Sequence, residues 1–285
     1  MQNARLFFLL GLNAIAFSAY SQGFYTGAGG GYGFGAAKAS STNYKSVDNG
    51  GGDATNTYSA THYSYGQGIN VGLYAGYMIK KGLGVELGFT YLKSATFESK
   101  SEIENNLFDY KTKNISYHYG STMRLLPAMR LGFGEKKLSG YVKAGPVIAV
   151  GTKRINENEN SSSVFGISQT DYINTEYSGG LGIGAHGALG LTYMFTSSIG
   201  AFCEIGAVYQ QWAPKKSVIT RYEIDGVNEL NSLTTNERET EFVDEYQQNG
   251  NPETASEPSK ATRIFFPFSS AGINIGIHFS FGKTE

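Results

Sequence analysis

The chain has 285 residues, and its 23 Lys and Arg residues nearly balance its 24 Asp and Glu residues, for a formal net charge of −1. A nucleic-acid-binding protein should carry a clear basic excess, so this balance argues against that class. The single cysteine excludes a disulfide framework and a cysteine-built zinc site. Only 16% of the residues are charged, whereas 38 are Gly, 20 are Tyr and 18 are Phe. Because Gly weakens helices and aromatic residues are scarce in disordered chains, this composition predicts an all-β protein.

The first 21 residues predict a secretory signal peptide. Arg5 supplies its positive charge, an apolar run extends from Leu6 to Phe17, and the small residues Ala19 and Ser21 fit a cleavage site. The alternative is an uncleaved membrane anchor, but this run is shorter than the roughly 20 apolar residues that span a bilayer. We therefore expect export, cleavage after Ser21 and a single domain over residues 22–285.

Eight segments of the mature chain alternate between apolar residues and small or polar residues. In the clearest of them, residues 181–195, the odd positions are mainly apolar and the even positions are mainly Gly, Ala, Thr and His. This period of two is typical of a β-strand whose two faces have different surroundings. The eight predicted strands cover residues 24–36, 69–79, 83–91, 115–133, 142–150, 181–195, 199–210 and 273–281.

Charged residues indicate which face of these strands points inward. The apolar face carries none in the alternating spans, and the small-residue face carries Glu86, Arg124, Arg130, Lys143 and Glu204. A soluble lipocalin-like barrel, with the apolar face as its core, is one interpretation. Its outer face would be rich in Lys, Glu and Thr, however, and here that face is mostly Gly and Ala. Small residues suit the narrow interior of an eight-stranded barrel, so we predict that the apolar face contacts lipid and that the five charges form a network in the lumen.

The connections between the predicted strands alternate strictly between short and long. Tight turns lie at 80–82, 134–137 and 196–198. The long, polar connections lie near 37–66, 94–114, 152–176 and 213–262. Outer-membrane barrels combine short periplasmic turns with long external loops in this way. The sequence therefore predicts an eight-stranded antiparallel up-and-down transmembrane β-barrel with four long external loops and periplasmic termini.

Distance from the turns predicts the height of each lumen charge. Glu86 and Arg130 are each four residues from a turn, and Lys143 and Glu204 are each six residues from one. At about 2.5 Å of axial rise per residue, these four side chains share one layer. Unpaired charges are costly in such surroundings, so we expect the four to form ion pairs, with Arg124 extending the network from above.

A hairpin is predicted in the longest connection. Asp225-Gly226 favours a type I′ turn between residues 217–224 and 227–230. We expect strands seven and eight to continue beyond the membrane there as a ribbon; the alternative is a disordered loop.

The last predicted strand carries the most specific family signature. Residues 274–281 place a polar residue, a glycine and two aromatic residues at the spacing of a C-terminal assembly signal: Asn274, Gly276, Phe279 and Phe281. In this respect the chain resembles the small OmpA/OmpX-like outer-membrane β-barrel proteins, in the form common in Bacteroidota, over nearly all of residues 23–282. The family pattern usually ends on the aromatic residue, whereas residues 282–285 follow here. The resemblance implies a place in the outer membrane, contact with its lipids and lipopolysaccharide, and insertion by the barrel-assembly machinery.

Three motifs suggest other chemistry. Residues 182–187 match G-x-G-x-x-G, but a dinucleotide site needs a following helix and this match lies within a strand. His278 with Ser280, and His62 with Ser64, resemble parts of the catalytic set of lipid A deacylases, although no acidic partner is evident. Residues 48–53 resemble a calcium loop but lack the EF-hand spacing. We therefore expect no cofactor, no metal and no nucleic-acid partner.

These features together predict a non-enzymatic integral outer-membrane protein with a structural or surface-contact role and at most a narrow pore. An extracellular partner would bind through the long loops. Two alternatives stay open: a lipid-modifying outer-membrane enzyme of the lipid A deacylase type, and a soluble periplasmic barrel that binds a lipophilic ligand. Fold alone does not choose among these roles, because sites rather than folds carry function.

Overall fold

The computed structural model of the chain describes residues 23–37, 39–49, 54–134, 137–246 and 254–281. The predicted signal peptide, most of the calcium-like loop and the four residues after the assembly signal lie outside these ranges. Within them, no helix is long and apolar enough to cross a lipid bilayer.

Most of the described chain is β-strand, in agreement with the predicted fold class. The strands are β1 (Phe24–Gly35), β2 (Ala39–Asp48), β3 (Ala54–Tyr63), β4 (Gly68–Lys80), β5 (Leu83–Ser94), β6 (Phe97–Asn105), β7 (Tyr110–Gly134), β8 (Leu138–Val164), β9 (Ile167–Ser178), β10 (Gly182–Met194), β11 (Ile199–Trp212), β12 (Lys216–Ile224), β13 (Val227–Asn228), β14 (Glu239–Val243), β15 (Ser259–Thr262), β16 (Phe266–Pro267) and β17 (Ser270–Phe281). A 3-10 helix (Leu230–Ser232) and a short helix α1 (Thr235–Arg238) lie between β13 and β14.

Eight of these strands form a closed antiparallel ring. Its order is β1–β4–β5–β7–β8–β10–β11–β17, and β17 pairs back onto β1. Each predicted alternating segment corresponds to one strand of this ring. The ring therefore confirms the all-β class and the eight predicted segments.

The two faces of the ring differ as the alternation predicts. Ile183, Leu189 and Ile275 point outward with more than 60% of their surface exposed. The inward face combines glycines with large tyrosines on neighbouring strands. Gly27 lies directly opposite Tyr74, and Gly190 lies directly opposite Tyr141, where a Cβ atom on either glycine would overlap the facing ring. The glycines thus make room for aromatic side chains inside a narrow barrel.

The prediction of eight strands was incomplete, because the structure has nine more in the long connections. β7 and β8 continue well past the ring and lie at the centre of a second sheet region, which we call the sheet extension. Its order is β3–β2–β6–β7–β8–β9–β12–β14–β15. Many segments of the sheet extension do not alternate between apolar and polar residues. An example is residues 156–163, Asn-Glu-Asn-Glu-Asn-Ser-Ser-Ser. These strands are held by backbone hydrogen bonds and have no amphipathic pattern, so a search for alternation in the sequence does not find them.

The predicted turn of the hairpin at residues 217–230 is present, but the long ribbon predicted to follow it is not. Asp225 and Gly226 both have positive φ angles, of 50° and 80°, as a type I′ turn requires. The second arm, β13, is only two residues long. β12 pairs mainly with β9, the strand that follows β8, and strand eight of the ring does not extend beside it. The ribbon prediction was wrong in its partner strand.

Candidate functional site

Four charged side chains meet inside the ring, toward the end with the short turns. Lys143 Nζ lies 2.9 Å from Glu86 Oε1 and 2.7 Å from Glu204 Oε2. Arg130 Nη1 lies 3.2 Å from Glu86 Oε2. The exposed fractions of these side chains are between 3% and 13%. We call this group the charge layer; its two acids and two bases balance.

Tyrosines complete the charge layer, and sequence reasoning missed them. Tyr25 donates a hydrogen bond to Glu86 over 3.2 Å, and Tyr141 donates one to Glu204 over 3.0 Å. The guanidinium carbon of Arg130 lies 3.9 Å from the centre of the Tyr141 ring, within the range of a cation–π contact. The only sequence signal was the position of these tyrosines among glycines on the inward face. Strand register is needed to see that each faces a charge.

Arg124 is a correction to the predicted network, because its hydrogen bonds go elsewhere. Its Nε donates to Gln210 Oε1 and its Nη2 donates to the backbone oxygen of Phe268, each over 2.7 Å. The physical reason is height. Arg124 is six residues from Arg130 along β7, which is a height difference of about 15 Å along the barrel axis for a tilted strand.

An aromatic cap closes the end of the ring away from the short turns. It consists of Tyr65, Leu92, Trp212 and Phe268, all fully buried. The Phe268 N–H donates to Gln210 O over 3.0 Å, which ties the chain before β17 to the end of β11. The cap could not be predicted from the alternating pattern, because its members come from strand ends and from connections outside that pattern.

Arg154 lies against the cap among aromatic rings. Its Nε donates to the Tyr65 hydroxyl over 2.6 Å. Its guanidinium carbon lies 4.6 Å from the ring centre of Tyr177 and 4.4 Å from that of Phe266. These rings place their negative faces around the cation and stabilise its charge.

A cavity of about 110 Å³ lies between the charge layer and the cap. Its polar lining includes Asn70, Thr90, Arg124, Lys143, His186, Glu204, Ser270 and Asn274. Asn274 Oδ1 has no hydrogen-bond partner among the described protein atoms. The interior therefore has two layers of packed side chains with a polar space between them.

The residues of the predicted assembly signal occupy both faces of β17. Asn274 points inward and lines the cavity. Gly276 also faces inward, where a Cβ atom would overlap the Phe202 ring and the backbone of β1. The Phe281 ring lies 5.8 Å from that of Phe24, across the closure between β17 and β1. The structure thus gives Gly276 and Phe281 packing roles.

The residues considered for catalysis have other partners. His278 Nδ1 lies 2.9 Å from the Tyr74 hydroxyl, beside the charge layer. The Ser64 hydroxyl donates to Ser269 O over 2.9 Å, and His62 is exposed. The G-x-G-x-x-G match lies within β10, which continues as a strand. Among the described residues, no group of three His, Cys, Asp or Glu side chains is placed to hold a metal ion.

Acidification is expected to weaken the sheet extension around His118, which pairs with β6 beyond the ring. Burial and the Arg154 guanidinium, whose Nη2 lies 3.3 Å from His118 Nδ1, lower the pKa of His118 to about 4. Because the unfolded side chain has a pKa of about 6.5, the unfolded state binds more protons between these values. Stability is present above that range and is lost as the pH falls through it. Amide exchange near residue 118, corrected for intrinsic rate, should therefore accelerate between about pH 7 and pH 4.

The variant His118→Gln tests this assignment, because glutamine does not gain a proton over that range. Its exchange near residue 118 should depend less on pH than that of the wild type. An equal pH dependence in both proteins would contradict the role of His118.

Comparison with solved structures gives a distant structural likeness. No family model matches the chain, and no curated protein matches it in sequence. Among solved structures, the chain is similar to the crystal structure of Neisserial surface protein A (NspA), with 13% sequence identity and a TM-score of 0.31. That alignment covers 91% of this chain and 98% of the other.

Proposed function

We propose that the chain is a non-enzymatic integral outer-membrane β-barrel protein with a closed lumen and an external sheet that makes surface contacts. The observation that carries this proposal is the distribution of side chains around the closed ring. Exposed Ile, Leu, Val, Met and aromatic side chains surround the ring on all eight strands, and the charge layer and Arg124 lie inside. An apolar exterior of this extent is stable in lipid and unfavourable in water.

The closed ring supports the same proposal through the backbone. Within a bilayer, each backbone N–H and C=O must be paired inside the protein, and a closed barrel meets this requirement without free strand edges. The soluble alternative needs an apolar interior for a lipophilic ligand. The interior here instead contains Glu86, Lys143 and Glu204 next to a polar cavity. The outer membrane is therefore the environment that the ring favours.

The closed interior argues for a structural role over a transport role. The charge layer and the aromatic cap each cross the lumen, at different heights. We expect no large, stable conductance from the purified protein in planar bilayers, because charged side chains occupy the lumen at one height and aromatic side chains occupy it at another. Steady channels of about nanosiemens size, as wide water-filled barrels give, would contradict the closed lumen.

The distal end of the sheet extension supports the surface-contact part of the proposal. Two adjacent hairpin turns at this end carry four apolar residues that are each at least 55% exposed: Leu107, Phe108, Phe165 and Ile167. Phe165 has a positive φ of 49°, a conformation that bulky residues rarely adopt. A strained, exposed aromatic residue at a turn is better explained by contact with a partner than by folding.

The lipid-modifying alternative has less support. In the deacylase-type interpretation, a histidine activates a serine at the outer leaflet. His278 is instead buried near the short turns and is hydrogen-bonded to Tyr74. Lipid A mass spectra from cells with and without the gene separate the two functions: identical spectra support the non-enzymatic role, and a lost acyl chain that depends on the gene contradicts it.

Membrane fractionation tests the proposed function. The expressed protein should stay in the outer-membrane pellet after an alkaline carbonate wash, because its apolar exterior is dissolved in lipid. It should also migrate differently on a gel before and after boiling, since a closed barrel resists detergent until heated. Release of the protein by the wash would support the soluble barrel instead.

The topology is tested separately by proteolysis of intact cells. We predict that the four long connections face outward and that the termini face the periplasm, because short and long connections alternate. Protease added to intact cells should cut within residues 213–262 and leave the ring strands whole. Cleavage that requires permeabilised outer membranes would reverse this orientation.

A further inference from the structure

The interior of the ring carries more positive than negative charge. Three cationic side chains of the ring strands point inward and are shielded from solvent, Arg124, Arg130 and Lys143, whereas the described ring has two enclosed acids, Glu86 and Glu204. A further buried cation, Arg154, lies just beyond the ring, where β8 pairs with β9. The charge layer uses both acids to balance Arg130 and Lys143. Two arginines are left without a carboxylate partner among the described residues.

These two arginines have different surroundings. Arg154 is enclosed by three aromatic rings, those of Tyr65, Tyr177 and Phe266. Arg124 has no ring over its guanidinium in the described structure, and its two hydrogen bonds go to neutral oxygens. It is 3% exposed. A buried cation with neither a carboxylate nor an aromatic partner is energetically unfavourable, and a nearby negative charge would stabilise it.

Arg124 also borders the cavity between the two layers. A guanidinium has five N–H donors, and the two hydrogen bonds of Arg124 use two of them. The other donors are available to a ligand in the cavity. Thr90 is directly opposite Arg124 on β5 and lines the same space, as do Asn70 and Ser270. These side chains add neutral hydrogen-bond donors near the cation. Together they form a set of donors around a polar space with one uncompensated positive charge.

We propose that Arg124 and the cavity beside it bind a small monovalent anion of the size of chloride. The cavity, at about 110 Å³, exceeds the roughly 10–15 Å³ that one water molecule needs by the same measure, so an ion with some hydration fits. The Glu86 and Glu204 carboxylates border the far end of the cavity. These two negative charges repel a multiply charged anion more strongly than a singly charged one, so we expect the site to prefer an anion with one negative charge.

Equilibrium unfolding in two salts tests the site. The purified protein in detergent micelles is unfolded with urea, and the fluorescence of Trp212, the one tryptophan of the chain, reports the transition. Sodium chloride is compared with sodium gluconate at equal ionic strength, because gluconate is too large for the cavity and screening is then constant. Chloride should raise the unfolding midpoint. Above its dissociation constant, each tenfold increase in chloride should raise the folding equilibrium constant about tenfold.

Two arginine variants locate the effect. Arg124→Gln should unfold at the same midpoint in both salts, since it lacks the cation. Arg154→Gln is the matched control: it removes the other enclosed arginine without an acid partner and should keep the chloride effect. Equal midpoints in the two salts for the wild type, or a chloride effect that survives in Arg124→Gln, would overturn the proposal.

A second measurement covers the case in which Arg124→Gln does not fold. Exchange of chloride with a protein site broadens the chlorine NMR signal, and this can be measured on the wild type alone. Broadening that is displaced by a small competing anion such as bromide, and is reduced in Arg124→Lys, supports the site. Absence of broadening by the folded wild type, together with equal unfolding midpoints in chloride and gluconate, contradicts it.

Discussion

Replacing Glu204 with alanine should lower the free energy of unfolding by about 3–5 kcal/mol, because it breaks a buried ion pair on one side only. Glu204 accepts hydrogen bonds from Lys143 and Tyr141, over 2.7 Å and 3.0 Å. Its removal leaves a buried ammonium with one acid, Glu86, which Arg130 shares. Urea unfolding of the barrel in micelles, followed by fluorescence or by the heat-dependent gel shift, measures the loss.

Glu98→Ala is the matched control for Glu204→Ala. Glu98 also forms an ion pair, with Lys100 over 2.7 Å, but both side chains are more than 40% exposed. An exposed pair contributes about 0–1 kcal/mol, so this variant should be close to wild type. A Glu204→Ala barrel as stable as the wild type would mean that the lumen charges are separately hydrated and that the charge layer is not a structural unit.

Leu189→Arg should destabilise the protein in a lipid bilayer by about 2–4 kcal/mol, because it places a cation near the membrane midplane. Leu189 points outward from β10 with 62% of its surface exposed. It is six residues from Phe195, at the short turn, and therefore about 15 Å above that turn along a tilted strand. The measurement is the unfolding free energy of barrels refolded in lipid vesicles.

Ile167→Arg is the control on the sheet extension, where Ile167 is 78% exposed. If that region faces water, the substitution should change stability by less than about 0.5 kcal/mol. Equally small effects for both variants would show that Leu189 also contacts water, as in a soluble barrel. The difference between the two variants thus separates the membrane and soluble interpretations of the same exposed residues.

The ring strands could be predicted from the sequence because each has two physically different faces. Segments such as 181–195 and 273–281 record that difference at every second position. The sheet extension has polar residues on both faces, as at 156–163, so its strands leave no period to detect. Its pairing depends on backbone hydrogen bonds, which any residue except proline provides.

The partners of a side chain could be predicted only where its height in the barrel, counted from the short turns, was enough to identify them. Counting from the turns brought Glu86, Arg130, Lys143 and Glu204 to one level, and the structure places them in contact. Arg124 was assigned to the same network because it is a charged residue on the inward face. Its actual hydrogen-bond partners could not be predicted from the sequence. Those partners, Gln210 and the Phe268 carbonyl, depend on how the chain before β17 crosses the barrel.

The position of Cys203 offers the most direct test of the membrane-facing exterior. This single native cysteine is exposed on β11, beside the outward-facing Leu191 and Ile275. A nitroxide attached to it in lipid vesicles should be reached readily by oxygen, which concentrates in lipid, and poorly by a water-soluble nickel chelate. A nitroxide at Tyr58→Cys in a Cys203→Ser background, on the sheet extension, should show the opposite preference. Equal access of the nickel chelate to both positions would contradict the account, because Cys203 would then face water.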